Sequence, residues 1–322
     1  MTSDMNFLIA AAAVVFVIGC ASSSAAGQTS GESGQPTPRK DMLVSTSWLQ
    51  EHLGDSDLVI VYVGRDRSGY DAGHIPGARF LALDQLVEQR TNSLNDLPPV
   101  AKLQAVFESA GMGNEARIIL FGDGGGLLAA RAYYTLDYLG HSDRAALLDG
   151  GMEKWIAEGR LLDRNPAHPA TAHFTPKVQP DILITTERMH EIVIGGGNGY
   201  LLLDARPPRE FDGTDRSDAV PKTGHLPGAH SLYWKKLLES DAVPSLRDVL
   251  QLQDQFQRAG ADGNRQVVTY CRTGMQSSFD YFVAKYLGYH ASMYDGSVYE
   301  WVNRAGYDLS RSTGTRNESA NK

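Results

Sequence analysis

Cys271 closes an apolar, β-branched run, Val267-Val268-Thr269-Tyr270, and is followed by Arg272, Thr273, Gly274, Met275, Gln276 and Ser277. The run has the composition of a buried strand, and a pattern with helical spacing begins at Ser277 and Ser278. A thiol between the carboxyl end of a strand and the amino terminus of a helix faces unpaired backbone N–H groups and the positive end of a helix dipole. Both favour the thiolate, the form of cysteine that attacks electrophiles. Arg272 adds a positive charge beside it. A free cysteine is often an inert packing group, but Arg, Thr, Gly, Gln and Ser are poor core material. The expected chemistry is nucleophilic.

These elements belong to a longer pattern that occurs twice. Gly73-His74-Ile75-Pro76-Gly77-Ala78 recurs as Gly224-His225-Leu226-Pro227-Gly228-Ala229. The strand before each copy matches as well, Leu58–Val63 against Tyr200–Ala205. Asp149-Gly150-Gly151-Met152-Glu153-Lys154-Trp155 aligns without gaps on Asp295-Gly296-Ser297-Val298-Tyr299-Glu300-Trp301. The period is far longer than a solenoid repeat, so the pattern is a duplicated domain.

The loop from Cys271 to Ser278, the two hexapeptides and the two DG-x4-W endings together resemble the rhodanese-type sulfurtransferases, from about Met42 to Leu309. The resemblance implies that Cys271 accepts a sulfane sulfur and holds it as a persulfide. Dual-specificity phosphatases and arsenate reductases share the strand–loop–helix arrangement, but they need an arginine six residues after the cysteine to clamp an oxyanion. Ser277 stands there.

A chain of 322 residues accommodates two domains of common size. In the second copy the pattern predicts helix 186–193, strand 201–204, helix 250–258, strand 266–270, helix 278–287, strand 291–294 and helix 298–304. Such alternation implies an α/β fold: two tandem rhodanese-like domains, each a mostly parallel sheet with helices on both faces. Ligands of such sheets bind beyond the carboxyl ends of the strands, where Cys271 falls. The expected division is a signal peptide at 1–19, a lipidated Cys20 with a tether to 41, a first domain at 42–163 and a linker at 164–180. A catalytic second domain follows at 181–310, then a polar tail at 311–322. Pro166, Pro169, Pro176 and Pro180 break periodicity in the linker.

The copies are unequal. Leu120-Phe121-Gly122-Asp123 aligns with Thr269-Tyr270-Cys271-Arg272, placing Gly122 where the thiol should be. The Gly124-Gly125-Gly126 that follows reads as a flexible loop without a nucleophile. It lacks the Lys-Ser/Thr of a P-loop and the dinucleotide-binding spacing, so the first copy is expected to be silent.

At the start of the chain, Phe7–Ile18 is an apolar run of signal-peptide length, too short to span a bilayer. It ends in Val17-Ile18-Gly19-Cys20, which resembles the lipobox of bacterial lipoproteins; Cys20 is the expected lipidation site, and the expected location is the bacterial cell envelope outside the cytoplasm. The segment before Phe7 carries Asp4 and no Lys or Arg, unlike most signal peptides, and a plain membrane anchor or frayed terminus is the alternative. Ser22–Pro38 is rich in Ser, Gly and Pro and reads as a tether. The net charge of −8 and the lack of a basic patch disfavour nucleic acid, and no Cys/His cluster has metal-ligand spacing. No cofactor is expected.

Around the cysteine, Asp204, Arg206 and Glu210 resemble the family's ion-pair network at the edge of the site. Some tandem rhodaneses have a substrate-binding arginine immediately before the aromatic residue that is Phe211 here; Glu210 takes that place. His225 and His74 occur in both copies, which favours a structural role in the turn over general-base chemistry. Trp155 and Trp301 are expected in the cores. The implied reaction moves the sulfane sulfur of thiosulfate to a thiophilic acceptor such as cyanide or a thiol. Thiosulfate is preferred over 3-mercaptopyruvate because mercaptopyruvate enzymes typically carry Gly where Arg272 stands. The substrate-binding set is Arg272, Thr273, Gly274, Met275, Gln276 and Ser277, with Asp204, Arg206 and His225 in support. The competing reading is a persulfide carrier or sensor that passes sulfur to a protein partner.

Overall fold

In the computed structural model, which describes residues 36–304 and 306–311, the two copies build two five-stranded parallel sheets of one topology. The first contains β1 (Leu43–Val44), α1 (Thr46–His52), β2 (Leu58–Gly64), α2 (Ser68–Ala72) and β3 (Arg79–Ala82). A hairpin of β4 (Glu88–Arg90) and β5 (Ser93–Asp96) follows, then α3 (Val100–Ser109), β6 (Arg117–Phe121), α4 (Leu127–Tyr138), β7 (Ala145–Leu148) and α5 (Gly151–Ala157). The second comprises β8 (Leu183–Ile184), α6 (Thr186–Ile194), β9 (Tyr200–Asp204), α7 (Pro208–Phe211), β10 (His230–Ser231), α8 (Val249–Arg258), β11 (Gln266–Tyr270), α9 (Met275–Tyr286), β12 (Ala291–Tyr294) and α10 (Ser297–Val302). The orders β1-β7-β6-β2-β3 and β8-β12-β11-β9-β10 superimpose strand for strand. At the same place in the second domain, between a 3-10 turn at Trp234–Leu237 and α8, the hairpin is reduced to a single antiparallel bridge, Leu238 to Leu246.

The central strands are near-continuous apolar runs because helices cover both their faces. On one face of each sheet the core is separate: Tyr62, Ile119 and Trp155 in the first domain, Val268, Tyr270 and Trp301 in the second. On the other face the two domains share one core, in which α4 lies along α9. Tyr133 meets Phe282 edge-on at 5.0 Å between ring centres, and Tyr134 meets Tyr281 at 5.2 Å. Both helices are therefore buried on most of their circumference, which is why neither has a clean polar face.

Two differences from the sequence reading bear on the site. The helix after Cys271 starts at Met275, not Ser278, because Gly274 in a left-handed conformation (φ 86°) turns the chain directly into it. Met275, Gln276 and Ser277 are thus first-turn residues rather than loop. The segment 164–180 lacks regular structure for most of its length but runs along the first domain, with Phe174 buried between Phe107 and His141. In both copies the histidine of the hexapeptide pairs its backbone with the end of its own domain, His74 with Asp163 and His225 with Ser310.

Candidate active site

Cys271 follows directly on β11 and is 1% exposed. Ser277, one turn into α9, directs its hydroxyl at the sulfur at 3.6 Å. The first-turn N–H groups of Met275, Gln276 and Ser277 have no acceptor within the helix, so they are donors for a negative sulfur. The loop's other donors are not all free. The N–H groups of Cys271 and Gly274 both donate to the hydroxyl oxygen of Ser297, at 3.0 and 3.1 Å. Within the expected substrate-binding set from Arg272 to Ser277, the Gly274 N–H is therefore already taken.

Ser297 is a functional residue that sequence reasoning missed. Among the described residues it is the non-glycine residue with positive φ (54°), a conformation that costs about 1–2 kcal/mol for an L-residue. Its hydroxyl also donates to the carbonyl of Tyr294 at 3.0 Å, so one buried side chain ties together both ends of the cysteine loop and the end of β12. A signal existed. The repeat sets Ser297 opposite Gly151, which has the same φ (55°), so the serine keeps a glycine's backbone for the sake of its oxygen.

Arg272 does not stand free beside the thiol. Its guanidinium makes a fork with both carboxylate oxygens of Glu210, with Nε at 2.9 and 2.8 Å and Nη2 closer still. This hydrogen bonding holds Arg272 above its ordinary arginine range despite partial burial. Glu210 in turn lies 4.0 Å from Arg206, whose guanidinium is bidentate on buried Asp204. Burial pulls Arg206 down, but Asp204 more than offsets it and keeps the charge. Two cations are thus matched by two carboxylates, and Arg272 is not the uncompensated cation that its place in the sequence suggested. Arg206 also donates to the carbonyl of Gly224, locking the turn before His225. The His225 ring stacks on Phe211 at 3.8 Å, and its Nδ1 bonds the Phe211 carbonyl. His74 repeats this with Tyr70 in the first domain. Each histidine is thus held within its own turn by stacking and a backbone hydrogen bond, as expected of a residue that shapes the turn.

One further buried acid was not anticipated. Asp280, three residues beyond Ser277 and on the same side of α9, is fully buried, and neither of its carboxylate oxygens has a hydrogen-bond partner. Burial first, then the proximity of Cys271 and Asp204, pushes it well above the usual carboxylate range.

The corresponding place in the first domain is built differently. Gly122 ends β6 as Cys271 ends β11, but the loop behind it is one residue longer, Gly122–Gly126 against Cys271–Gly274. Gly124, Gly125 and Gly126 all have left-handed φ of 67–76°. Of the three, Gly125 packs against the second domain: a Cβ there would lie 2.9 Å from Leu238 and 3.4 Å from Pro244, whereas one on Gly124 or Gly126 would meet nothing within 4 Å. Gly122 is closed to any side chain, since its Cβ would lie 2.5 Å from the carbonyl oxygen of Val63.

The Rhodanese-like domain family matches residues 45–158 and again 188–304. The chain belongs to the rhodanese family. It is 33% identical over 282 residues to the sulfur carrier protein TtuD of Thermus thermophilus, covering 84% of this chain and 97% of that one. A Saccharopolyspora erythraea protein provisionally named a thiosulfate sulfurtransferase is 34% identical, over 84% of this chain and 96% of its own length. Among solved structures, a 3-mercaptopyruvate sulfotransferase from Escherichia coli shares the fold with a TM-score of 0.69 at 21% identity, covering 80% of this chain and 98% of that one. Cys271 lies within the second matched stretch, and Gly122 stands at the aligned position of the first. Cys20 and the apolar run before it lie outside the described residues. No helix among the described residues is long and apolar enough to cross a membrane.

Proposed function

We propose that this rhodanese is a sulfurtransferase in which Cys271 carries the sulfane sulfur of thiosulfate to a thiophilic acceptor. The observation that carries the reading is the single described thiol, set between β11 and the amino terminus of α9 with Ser277 at 3.6 Å. The Cys271 thiolate attacks the outer sulfur of thiosulfate; the S–S bond of thiosulfate breaks, and its electron pair leaves with sulfite. The resulting persulfide is terminally anionic. Its negative charge is met by the first-turn N–H groups of α9 and the Ser277 hydroxyl, as an oxyanion is met in acyl transfer. Cyanide or a thiolate then attacks the terminal sulfur, the Cys271–sulfur bond breaks, and the thiolate is regenerated. No external oxidant or reductant is required.

The similarity to TtuD and to the Saccharopolyspora protein supports sulfur transfer, and the names of these two relatives divide over the fate of the transferred sulfur. The TtuD relationship favours a second reading, in which the persulfide passes to a protein acceptor rather than to a small molecule. Sulfite release from thiosulfate, measured with and without cyanide or small thiols, tests both. Steady turnover with small molecules supports the enzyme. One equivalent of sulfite, with a gain in protein mass of one sulfur atom and no turnover, supports the carrier. No sulfite at all overturns thiosulfate as donor.

The proposed location is the outer side of a bacterial membrane, with the mature chain starting at a lipidated Cys20. The support is the apolar run ending in Val17-Ile18-Gly19-Cys20. Intact-mass analysis showing Met1 retained, or a membrane fraction unchanged by Cys20→Ala, would overturn it.

A further inference from the structure

We infer that the silent domain is part of the catalytic apparatus, with Asn95 and Arg131 acting as positioning residues that grip the cysteine loop from outside its own domain. The first grip is direct. The Asn95 side-chain amide, on β5 of the first domain, donates to the carbonyl of Thr273 at 2.8 Å. The N–H of that same peptide unit, on Gly274, is held by Ser297 at 3.1 Å. A peptide unit is planar and rigid, so pinning its oxygen from one domain and its nitrogen from the other fixes its orientation.

The second grip runs through Arg131 of α4, which is completely buried. Its guanidinium is bidentate on Asp295 at 2.5 and 2.9 Å, donates to the backbone carbonyl of Asn95 at 2.6 Å and reaches the carbonyl of Gly274 at 3.5 Å. Burial pulls the Arg131 guanidinium down, but Asp295 more than compensates and holds it above its ordinary value. Asp295 begins the turn that carries Ser297, so Arg131 braces the residue that ties the loop together. The Gly274 carbonyl is held a second time by Ser278 at 2.8 Å, and planarity then sends the Met275 N–H the opposite way, off the side where Arg131 lies. One hairpin side chain and one helix side chain of the domain without a thiol thus set the peptide planes next to the thiol. The hairpin that carries Asn95 is reduced to the single Leu238–Leu246 bridge at the equivalent place in the second domain.

The role assigned to these residues rests on Cys271 being the reacting group, and the test separates the two. Asn95 is partly exposed and can be changed without opening the core, so Asn95→Ala and Asn95→Asp are compared in the full chain. Two readouts are taken: sulfite release from thiosulfate with cyanide as acceptor, and hydrogen exchange of the backbone amides from 271 to 277. If Asn95 works by donating to Thr273, the isosteric Asp, which puts an acceptor against that carbonyl, is worse than Ala. Expected kcat falls are about tenfold for Ala and about a hundredfold for Asp, in the range of small misplacements of reacting groups. KM should stay within about twofold, the thermal midpoint should not change, and loop exchange should quicken in the same order. Asp matching wild type while Ala fails would show mere packing and overturn the inference. So would unchanged loop exchange, or faster exchange with unchanged turnover. If wild type releases no sulfite, the donor assignment falls, and the exchange arm alone decides whether the grip exists.

Discussion

The two copies in this chain share a sheet order, a hexapeptide turn and a DG-x4-W ending, and beside the hairpin they differ in the loop that follows β6 in one and β11 in the other. In the second copy a four-residue loop presents Cys271 at the start of α9, and Ser297 gathers its ends. In the first, a five-residue loop opens with Gly122, whose position the carbonyl of Val63 closes, and one of its three left-handed glycines, Gly125, lies against Leu238 and Pro244. The loop after the corresponding strand thus presents a thiol in one copy and contacts the neighbouring domain in the other. The first copy thus differs by more than the missing thiol, since its loop also packs Gly125 against the second domain.

The largest expected effect breaks the comparison by making the live copy silent. Cys271→Ser should abolish sulfite release, because a serine hydroxyl lacks a thiolate's nucleophilicity near neutral pH. The loss should be several orders of magnitude with the thermal midpoint nearly unchanged, since the two side chains have similar size. Activity near wild type in that variant would place the nucleophile elsewhere.

The converse change should fail. Gly122→Cys restores the thiol to the first copy, but its Cβ meets the Val63 carbonyl at 2.5 Å. We expect a loss of about 1–3 kcal/mol, the usual cost of overpacking, read as a lower midpoint in chemical denaturation. In a Cys271→Ser background the variant should release no sulfite. Recovered activity would show that the first loop is silent only for want of a sulfur.

A smaller effect concerns donor choice. Arg272 beside the thiol would favour the thiosulfate dianion by about 1–4 kcal/mol at about 4 Å if unpaired, but Glu210 occupies its fork. Glu210→Gln leaves the shape and removes the countercharge. The ratio of kcat/KM for thiosulfate to that for 3-mercaptopyruvate should rise several-fold in Glu210→Gln and fall in Arg272→Gly. No movement in either variant would remove Arg272 from the selection of donors.

The smallest expected effect sharpens the comparison at the paired helices. Counting from the first residue of α4 and α9, Ala132 in the silent copy corresponds to Asp280 in the live one. Asp280 is raised well above its ordinary value of 3.8 by burial, then by Cys271 and Asp204. A carboxyl so raised gives up its proton at higher pH in the folded chain than in the unfolded one, so its contribution to stability is intact below about pH 4 and declines as pH rises above that. Asp280→Asn removes the titration. The variant should gain thermal stability relative to wild type as pH rises from 4 to 7, by a few degrees at most, with no gain at pH 4. A difference independent of pH would show that Asp280 does not retain its proton in the folded protein.

Much of this was legible in the chain itself. Strands such as Gln266–Tyr270 and helices such as Thr186–Ile194 and Val249–Arg258 follow from apolar spacing and capping residues within a single window. The duplication is a direct consequence of two matching strings, and so is the contrast of Cys271 with Gly122. Short edge strands such as β1 and β8, two residues each, were not legible, because they carry no periodicity of their own and exist only by pairing with β7 and β12.

Sequence by itself determined where the thiol stands, that it stands once in two copies, and the α/β frame that holds it, because these depend on local residue order. Tertiary structure decided what surrounds the sulfur. Glu210 neutralises Arg272 from 62 residues away, Ser297 gathers the loop from 26, and Asn95 and Arg131 reach Thr273 and Asp295 across 178 and 164. Contacts between residues so far apart leave no spacing pattern in a single chain. They arise only when two sheets share one core and bring the hairpin of one domain against the loop of the other.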